Sequence, residues 1–272
     1  MVIDAHTHVR GEENGDRILR AMDRAGIDRM VLLGPSPGWH VRFGGGLADA
    51  HRRVIDLIAK VTAPDCQRLI GFAWIEPTLK DAPEAVDYAL GEKGLWGIKM
   101  IPWYWYPSDE RAIACYERVN AHGKPLTFHT GSLGHSGDTS RFCRPVYTEI
   151  FLRYPRMRFV MAHLGWPWID ECIAACHEFR FAAAKHGGSW NSYADTASGP
   201  PPVSKIESLP RIFAVLGDTQ ILYGTDCGSP SDSEALRYYM NQELDILDRI
   251  GASQETVDRV MGLNALRWLG VE

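Results

Sequence analysis

Short apolar runs rich in β-branched residues recur along the chain at residues 2–8, 29–34, 69–75, 97–101, 125–130, 158–163, 189–194 and 220–224. Between them lie stretches whose apolar positions recur at helical spacing, among them 16–26, 47–59, 82–92, 108–122, 143–153, 170–186 and 204–216. Strand and helix therefore alternate throughout, the pattern of a parallel sheet covered by helices. Gly26, Gly123 and Gly187 stand where helices ending in a left-handed cap want glycine. Eight units exceed the about five to seven strands usual in a doubly wound sheet and predict closure into a (β/α)8 TIM barrel, an α/β fold. The 272 residues suffice for that barrel as a single domain spanning 1–272. Residues 254–269 are amphipathic and are predicted to form the closing helix. No internal repeat, low-complexity tract or long linker interrupts the pattern.

Composition narrows the function. With 29 basic and 34 acidic residues the net charge is -5, and the pI is near 6.1, which speaks against a nucleic-acid-tracking surface. No apolar run approaches the ~18 to 20 residues of a membrane span, and the N-terminus enters a strand pattern directly, without a secretory leader. A soluble, cytoplasmic protein is expected. The six cysteines are scattered and read as free thiols; Cys172 and Cys176, four apart in a helical pattern, read as core packing rather than a metal pair.

The chemistry begins in the first run, Asp4-Ala5-His6-Thr7-His8. Alternate side chains of a strand share a face, so Asp4, His6 and His8 are expected to line up about 6.5 Å apart at ~3.3 Å rise per residue. Two imidazoles so spaced can share one metal ion. The active site of such a barrel lies at the C-terminal ends of its strands. There the fifth run ends in His129, the sixth in His163 and the eighth in Asp226, each distant in sequence and convergent in a closed barrel. Asp195 ends the seventh run, where it either orients a ligand, touches substrate or caps a loop. Asp4 is expected deeper in the barrel, as a hydrogen-bonding brace.

These residues, together with Gly97-Ile98-Lys99-Met100, His163-Leu164-Gly165-Trp166-Pro167-Trp168 and Gly262-Leu263-Asn264-Ala265, give the chain a resemblance to the amidohydrolase superfamily. More narrowly, it resembles the branch related to aminocarboxymuconate semialdehyde decarboxylase. The resemblance implies that His6, His8, His129 and Asp226 hold one divalent metal, with His163 beside it as an acid/base or orienting group. Three imidazoles and a carboxylate suit zinc, with a further position for water or substrate. Asp226 is also positioned to take a proton from such a water. Other branches use a carbamylated fourth-strand lysine to bridge two metals; the context of Lys99 more resembles the mononuclear branch, leaving it to hold a substrate carboxylate or pair with an acid.

Aromatics gather after the fourth run, with Trp103 and Trp105, and after the sixth, with Trp166; they suit a planar substrate or pack against a neighbour. His135 and Arg141 lie in a glycine- and serine-rich loop after the fifth run and are candidate substrate contacts, while the remaining histidines read as surface or packing. The leading expectation is a metal-dependent hydrolase of a small planar ester, lactone or amide. The alternative is nonoxidative decarboxylation of an aromatic or unsaturated acid at the same site, and the further alternative a catalytically silent barrel used for binding. The partners expected are a small-molecule substrate and, by the resemblance, a second copy in a homodimer.

Overall fold

All eight apolar runs become strands in the computed structural model, which describes residues 1–38, 49–134, 138–186 and 192–271. They are β1 (Ile3–His8), β2 (Arg29–Leu33), β3 (Leu69–Trp74), β4 (Gly97–Met100), β5 (Leu126–Phe128), β6 (Phe159–Met161), β7 (Ser192–Asp195) and β8 (Ile221–Leu222). Neighbours in sequence pair in parallel, in the order β1 to β8. The sheet then closes on itself: Ala5 N donates to Tyr223 O at 2.9 Å, Asp226 N to His6 O at 2.7 Å and His8 N to Cys227 O at 3.0 Å. This is the predicted barrel.

Alternation along the strands sorts side chains into two cores. Ile3, Ala5, Val31, Leu33, Ile70, Phe72, Val160, Tyr193 and Leu222 fill the interior, which Ala265, Trp268 and Leu269 seal from one end. The intervening positions, such as Met30, Leu32, Ile98, Met100, Leu126 and Phe128, face the surrounding helices in a second, larger core. Trp268 is fully buried, its ring edge-on to Phe72 at 5.2 Å, and its carbonyl accepts from Arg158 Nε at 2.7 Å.

The first strand departs from simple alternation. Asp4 pairs with Met30 but Thr7 with Leu32, so three steps along β1 match two along β2. The extra residue is a β-bulge, and it reverses the facing of everything after it. Ile3 and Ala5 point inward while Asp4 points outward, where it bonds Thr7 and Thr225; His6 and His8 then point inward. The expected single face of Asp4, His6 and His8 is thus corrected: Asp4 is a brace, but on the opposite side of the strand.

Helices form close to the predicted stretches, at Gly15–Ala25, Ala50–Thr62, Ala82–Asp87, Glu110–His122, Ile169–His186 and Pro202–Leu216. Gly26 and Gly123 take the expected left-handed caps, with φ of 81° and 63°; Gly187 lies outside the described residues. The stretch 143–153 is instead the 3-10 helix Pro145–Arg153, in which Thr148 Oγ1 donates back to Pro145 O at 2.7 Å, a contact three residues long that suits the tighter winding. The tail is two short α-helices, Gln254–Asp258 and Asn264–Leu269, joined by the π-turn Arg259–Leu263.

Among the described residues, one long helix was not foreseen, besides the single turn Thr139–Phe142. Ser233–Arg249 follows β8 and packs against the helix Gly15–Ala25. Its inward positions include Leu236, Ile246 and Leu247 but also Glu243, which is buried against Lys205 at 2.8 Å, so the apolar stripe is broken by a carboxylate. The readable signal was its cap: Asp232 accepts from Glu234 N and Ala235 N. No helix among the described residues is long and apolar enough to cross a membrane.

Because Trp268 fills the barrel floor, Trp268→Ala is expected to lower stability by about 3 to 5 kcal/mol through the cavity it leaves. Urea denaturation of the two proteins measures this, and a loss under about 1 kcal/mol would show that the floor is sealed by something else.

Candidate active site

At the C-terminal mouth of the barrel, the ends of β1 and β8 meet. His6 Nε2 lies 3.3 Å from His8 Nε2 and 3.6 Å from Asp226 Oδ1, and His8 Nε2 is 3.2 Å from the same oxygen. One ligand atom from each of the three lies within 4.8 Å of the others, a grouping that can hold a metal ion. The approach depends on Gly224, where a Cβ would stand 2.7 Å from His6 Cβ. Asp226 itself adopts a left-handed backbone, φ 54°, a conformation that costs a non-glycine residue about 1 kcal/mol or more and turns its carboxylate back over the mouth.

Asp195, fully buried at the end of β7, organises this cluster. Its Oδ2 accepts from His6 Nδ1 at 2.8 Å, and its Oδ1 from His163 N at 2.7 Å and Ala197 N at 3.2 Å. With the proton of His6 held on Nδ1, the Nε2 lone pair faces His8 and Asp226, the form in which an imidazole binds a metal. Burial raises the Asp195 carboxyl, against the pull of His163 and its other donors. The sequence left Asp195 between ligand orientation, substrate contact and loop capping; in the structure its carboxylate both holds the His6 ring and caps the turn at Ala197.

His163 follows β6 and opens a run of three left-handed residues, His163 (φ 60°), Leu164 (φ 51°) and Gly165 (φ 66°). Its ring centroid stands 4.9 Å from that of His6 and 4.9 Å from that of His129. His129, just past β5, adds no atom to the tight group of three, yet it is 3% exposed and its Nε2 has no hydrogen-bond partner; neither does Nδ1 of His163. Two orphaned imidazole nitrogens beside a cluster of donors fit a bound ion, since buried polar atoms are otherwise paired. Burial pushes His6 and His129 well below the ordinary histidine range, and the Lys99 charge adds to the effect, so both are neutral. Burial would raise Asp226, but the His8 hydrogen bond and the surrounding imidazoles outweigh it and hold the carboxyl below its usual range.

Asp4 braces the seam from outside. Its two oxygens accept from His6 N (3.1 Å), Thr225 N (3.0 Å), Thr7 Oγ1 (2.7 Å) and Thr225 Oγ1 (2.7 Å). Burial still raises its carboxyl to about 6 against these donors.

A cavity of about 850 Å³ opens beside the cluster, bounded by His8 and Asp226 and walled by Trp74, Trp103 and Tyr104. Trp103 is where the sequence puts it. Trp105 is not: it is 2% exposed in the outer core, edge-on to Phe128, because its backbone position beyond the turn carries it behind β4 and β5. Trp166 is half-buried against the same outer core, and Arg141 is drawn away to Tyr106, whose hydroxyl accepts from its Nε at 3.0 Å. Neither borders the cavity. His135 lies outside the described residues. Lys99 is fully buried on β4, its Nζ without a hydrogen-bond partner.

Among the cavity residues that sequence reasoning missed, Arg10, Trp74 and Glu76 carry the most chemistry. Arg10 lies two positions past His8, and Trp74 and Glu76 lie at and just beyond the end of β3. The signal was their place at strand ends, overlooked because β3 ends in neither histidine nor aspartate. Glu76 is held by His51, whose Nε2 accepts from Glu76 N at 2.9 Å while Nδ1 donates to Asp81 Oδ1 at 2.9 Å. Burial raises the Glu76 carboxyl, opposed by hydrogen bonds from Thr78.

Among solved structures, 5-carboxyvanillate decarboxylase from Sphingomonas paucimobilis superposes with a TM-score of 0.69 at 16% identity, over 100% of this chain and 99% of that one. The 2,6-dihydroxybenzoate decarboxylase from Rhizobium gives 0.67 at 14% identity, over 99% and 98%. A 5-carboxyvanillate decarboxylase from Novosphingobium aromaticivorans, complexed with manganese and 4-hydroxy-3-methoxy-5-nitrobenzoic acid, gives 0.68 at 16%, over 99% and 96%. At such identities the likeness establishes the shared barrel. No curated protein matches the chain. The amidohydrolase family model, however, matches residues 3–271, nearly the whole sequence, and with it the chain belongs to the amidohydrolase family of metal-dependent enzymes.

Proposed function

We propose that this protein is a metal-dependent nonoxidative decarboxylase of an aromatic or unsaturated carboxylic acid. Of the two reactions the sequence leaves open, hydrolysis leads there, on the ground that no carboxylate clamp is visible. The cavity supplies what was missing. Arg10 borders it, and among the described residues its guanidinium has no acidic partner, while Trp74, Trp103 and Tyr104 provide flat walls for a planar acid. The solved relatives that decarboxylate hydroxylated benzoates support the same choice.

In this reading His6, His8, His129 and Asp226 hold one divalent ion. The sequence expects zinc, and manganese is the ion in a solved relative. The ion, when bound, draws electron density from the oxygens of the acid and fixes its orientation. Arg10 receives a carboxylate oxygen, and the aromatic walls hold the ring and exclude water from it. Asp195 keeps His6 in the productive tautomer. His163, the acid/base group beside the ligands, hands a proton to the ring carbon, while Asp226, held ionised, faces the cavity as a ligand. The carbon–carbon electron pair stays with the ring carbon, where it takes up that proton, and carbon dioxide departs.

Purified protein loaded with manganese is expected to release carbon dioxide from a 2,6-dihydroxybenzoate-type acid and to leave aryl esters and lactones intact. Ester or lactone hydrolysis without carbon dioxide would instead establish the hydrolase. His6→Ala and Asp226→Asn are expected to lose metal and turnover together, as read by elemental analysis and by carbon dioxide release; full metal occupancy in both would remove the ligand assignment. Asp195→Asn is expected to weaken metal binding roughly 10- to 100-fold by releasing the His6 ring. Arg10→Gln is expected to raise KM for the acid about tenfold or more with a smaller change in kcat.

A further inference from the structure

Glu76 is a cavity residue to which the reaction assigns no part. It stands just past β3, two positions beyond Trp74, and lines the cavity with Trp74, Thr78, Trp103 and Tyr104. The wall runs to it from the metal-binding group: the Trp74 ring lies 6.3 Å from that of His8, and Glu76 follows. In the sheet β3 is two strands from β1, which puts their ends about 10 Å apart along the rim at ~4.8 Å per strand. That span suits a benzoate whose carboxylate sits at the ligands and whose meta or para substituent reaches toward Glu76.

The residue is held at every polar atom but one. Its N donates to Nε2 of the buried His51 at 2.9 Å, and its O accepts from Leu79 N at 3.1 Å. Oε1 accepts from Thr78 N at 3.1 Å and from Thr78 Oγ1 at 2.7 Å. Oε2 is left over. Among the described residues no ion pair engages the carboxylate; Arg111, whose charge reaches it, is paired with Asp109. The Trp105 indole also lies near enough to pull on the carboxyl, yet its Nε1 makes no hydrogen bond. A half-buried carboxylate oxygen without a donor is costly, and a ligand that brings a donor removes the cost.

We propose that Glu76 is a specificity-determining residue whose free oxygen receives a hydrogen-bond donor, a hydroxyl or an amine, carried meta or para to the carboxylate of the aromatic acid. The proposal deepens the decarboxylase reading and rests on its placement of the acid in this cavity. An acid without such a donor leaves Oε2 unpaired where it has expelled the water, and a site built for a donor rejects the analogue that lacks it. Thr78 dictates what an amide would do at the same place. Its backbone N–H must be met by an acceptor, so in Glu76→Gln the amide oxygen stays on Thr78 and the NH2 group takes the position of Oε2, turning the open acceptor into a donor.

Calorimetry at about pH 8, above the ordinary carboxylate range, tests this on protein loaded with manganese. Wild type and Glu76→Gln are each titrated with 3- and 4-aminobenzoate, whose amine donates and, conjugated with the ring, accepts poorly. Both are also titrated with 3- and 4-methylbenzoate, which have the same shape without the donor. Wild type is expected to bind one of the aminobenzoates at least about tenfold more tightly than the matching methylbenzoate. Glu76→Gln is expected to lose that preference while its affinity for the methylbenzoates and its Tm stay those of wild type, which marks the cavity as intact. Equal binding of amino- and methylbenzoates by wild type, a preference kept in Glu76→Gln, or equal losses of both kinds of acid in the variant would each overturn the role of Glu76 and leave the decarboxylase reading standing. Failure of the loaded wild type to bind any of the four acids would overturn the placement of an aromatic acid in this cavity, and the decarboxylase reading with it.

Discussion

The clasp between Asp4 and Thr225 is the constraint from which the rest of the site follows. Closing a barrel brings the first and last strands together, and here β8 is only two residues long, Ile221–Leu222. The seam is carried beyond it by one buried carboxylate that collects four donors, two from the chain after β1 has bulged and two from Thr225. The bulge frees His6 and His8 to turn inward, and Thr225 delivers Asp226 at the next position. Without the clasp the group of His6, His8 and Asp226 would have no common frame, because its members come from the two chain segments that the seam joins.

A second layer of order comes from burial. The interior holds the imidazoles of His6, His129 and His163, the Asp195 carboxylate and the Lys99 ammonium away from water, so each group's state is set largely by its neighbours. Asp195 spends its two oxygens on His6 and on the backbone of His163 and Ala197, and thereby couples the ends of β1, β6 and β7. The left-handed turns at His163 and Asp226 are the conformational cost of bringing side chains from strand ends to a common point.

Much of this was legible in the sequence, for definite reasons. Strand and helix alternation survives single exceptions, so the eight strands could be read from the pattern, and their order in a barrel from the pattern together with the family resemblance. His6, His8, His163 and Asp226 stood out because polar groups at the ends of apolar runs are unusual. What could not be read depends on one-residue events. The bulge within β1 inverted the facing of Asp4, and nothing in Asp-Ala-His-Thr-His announces it. Trp105 and Trp103 are two apart in one loop, yet one is core and the other cavity wall, since no strand periodicity governs a turn. The helix Ser233–Arg249 was hidden by Glu243, whose partner Lys205 lies 38 residues earlier in the chain. Arg10 was overlooked because a strand-end search for metal ligands does not look for cations.

The floor of the barrel carries a consequence for how the chain acquires its structure. Trp268, in the short helix Asn264–Leu269, is the side chain that fills the interior beneath Phe72, and Arg158 anchors it from the far side. A nascent chain that has already made all eight strands therefore still exposes an unfilled apolar interior. The inner core can be completed only once these late residues are synthesised, which makes the interval between β8 and Trp268 the period when the growing barrel depends most on protection from aggregation.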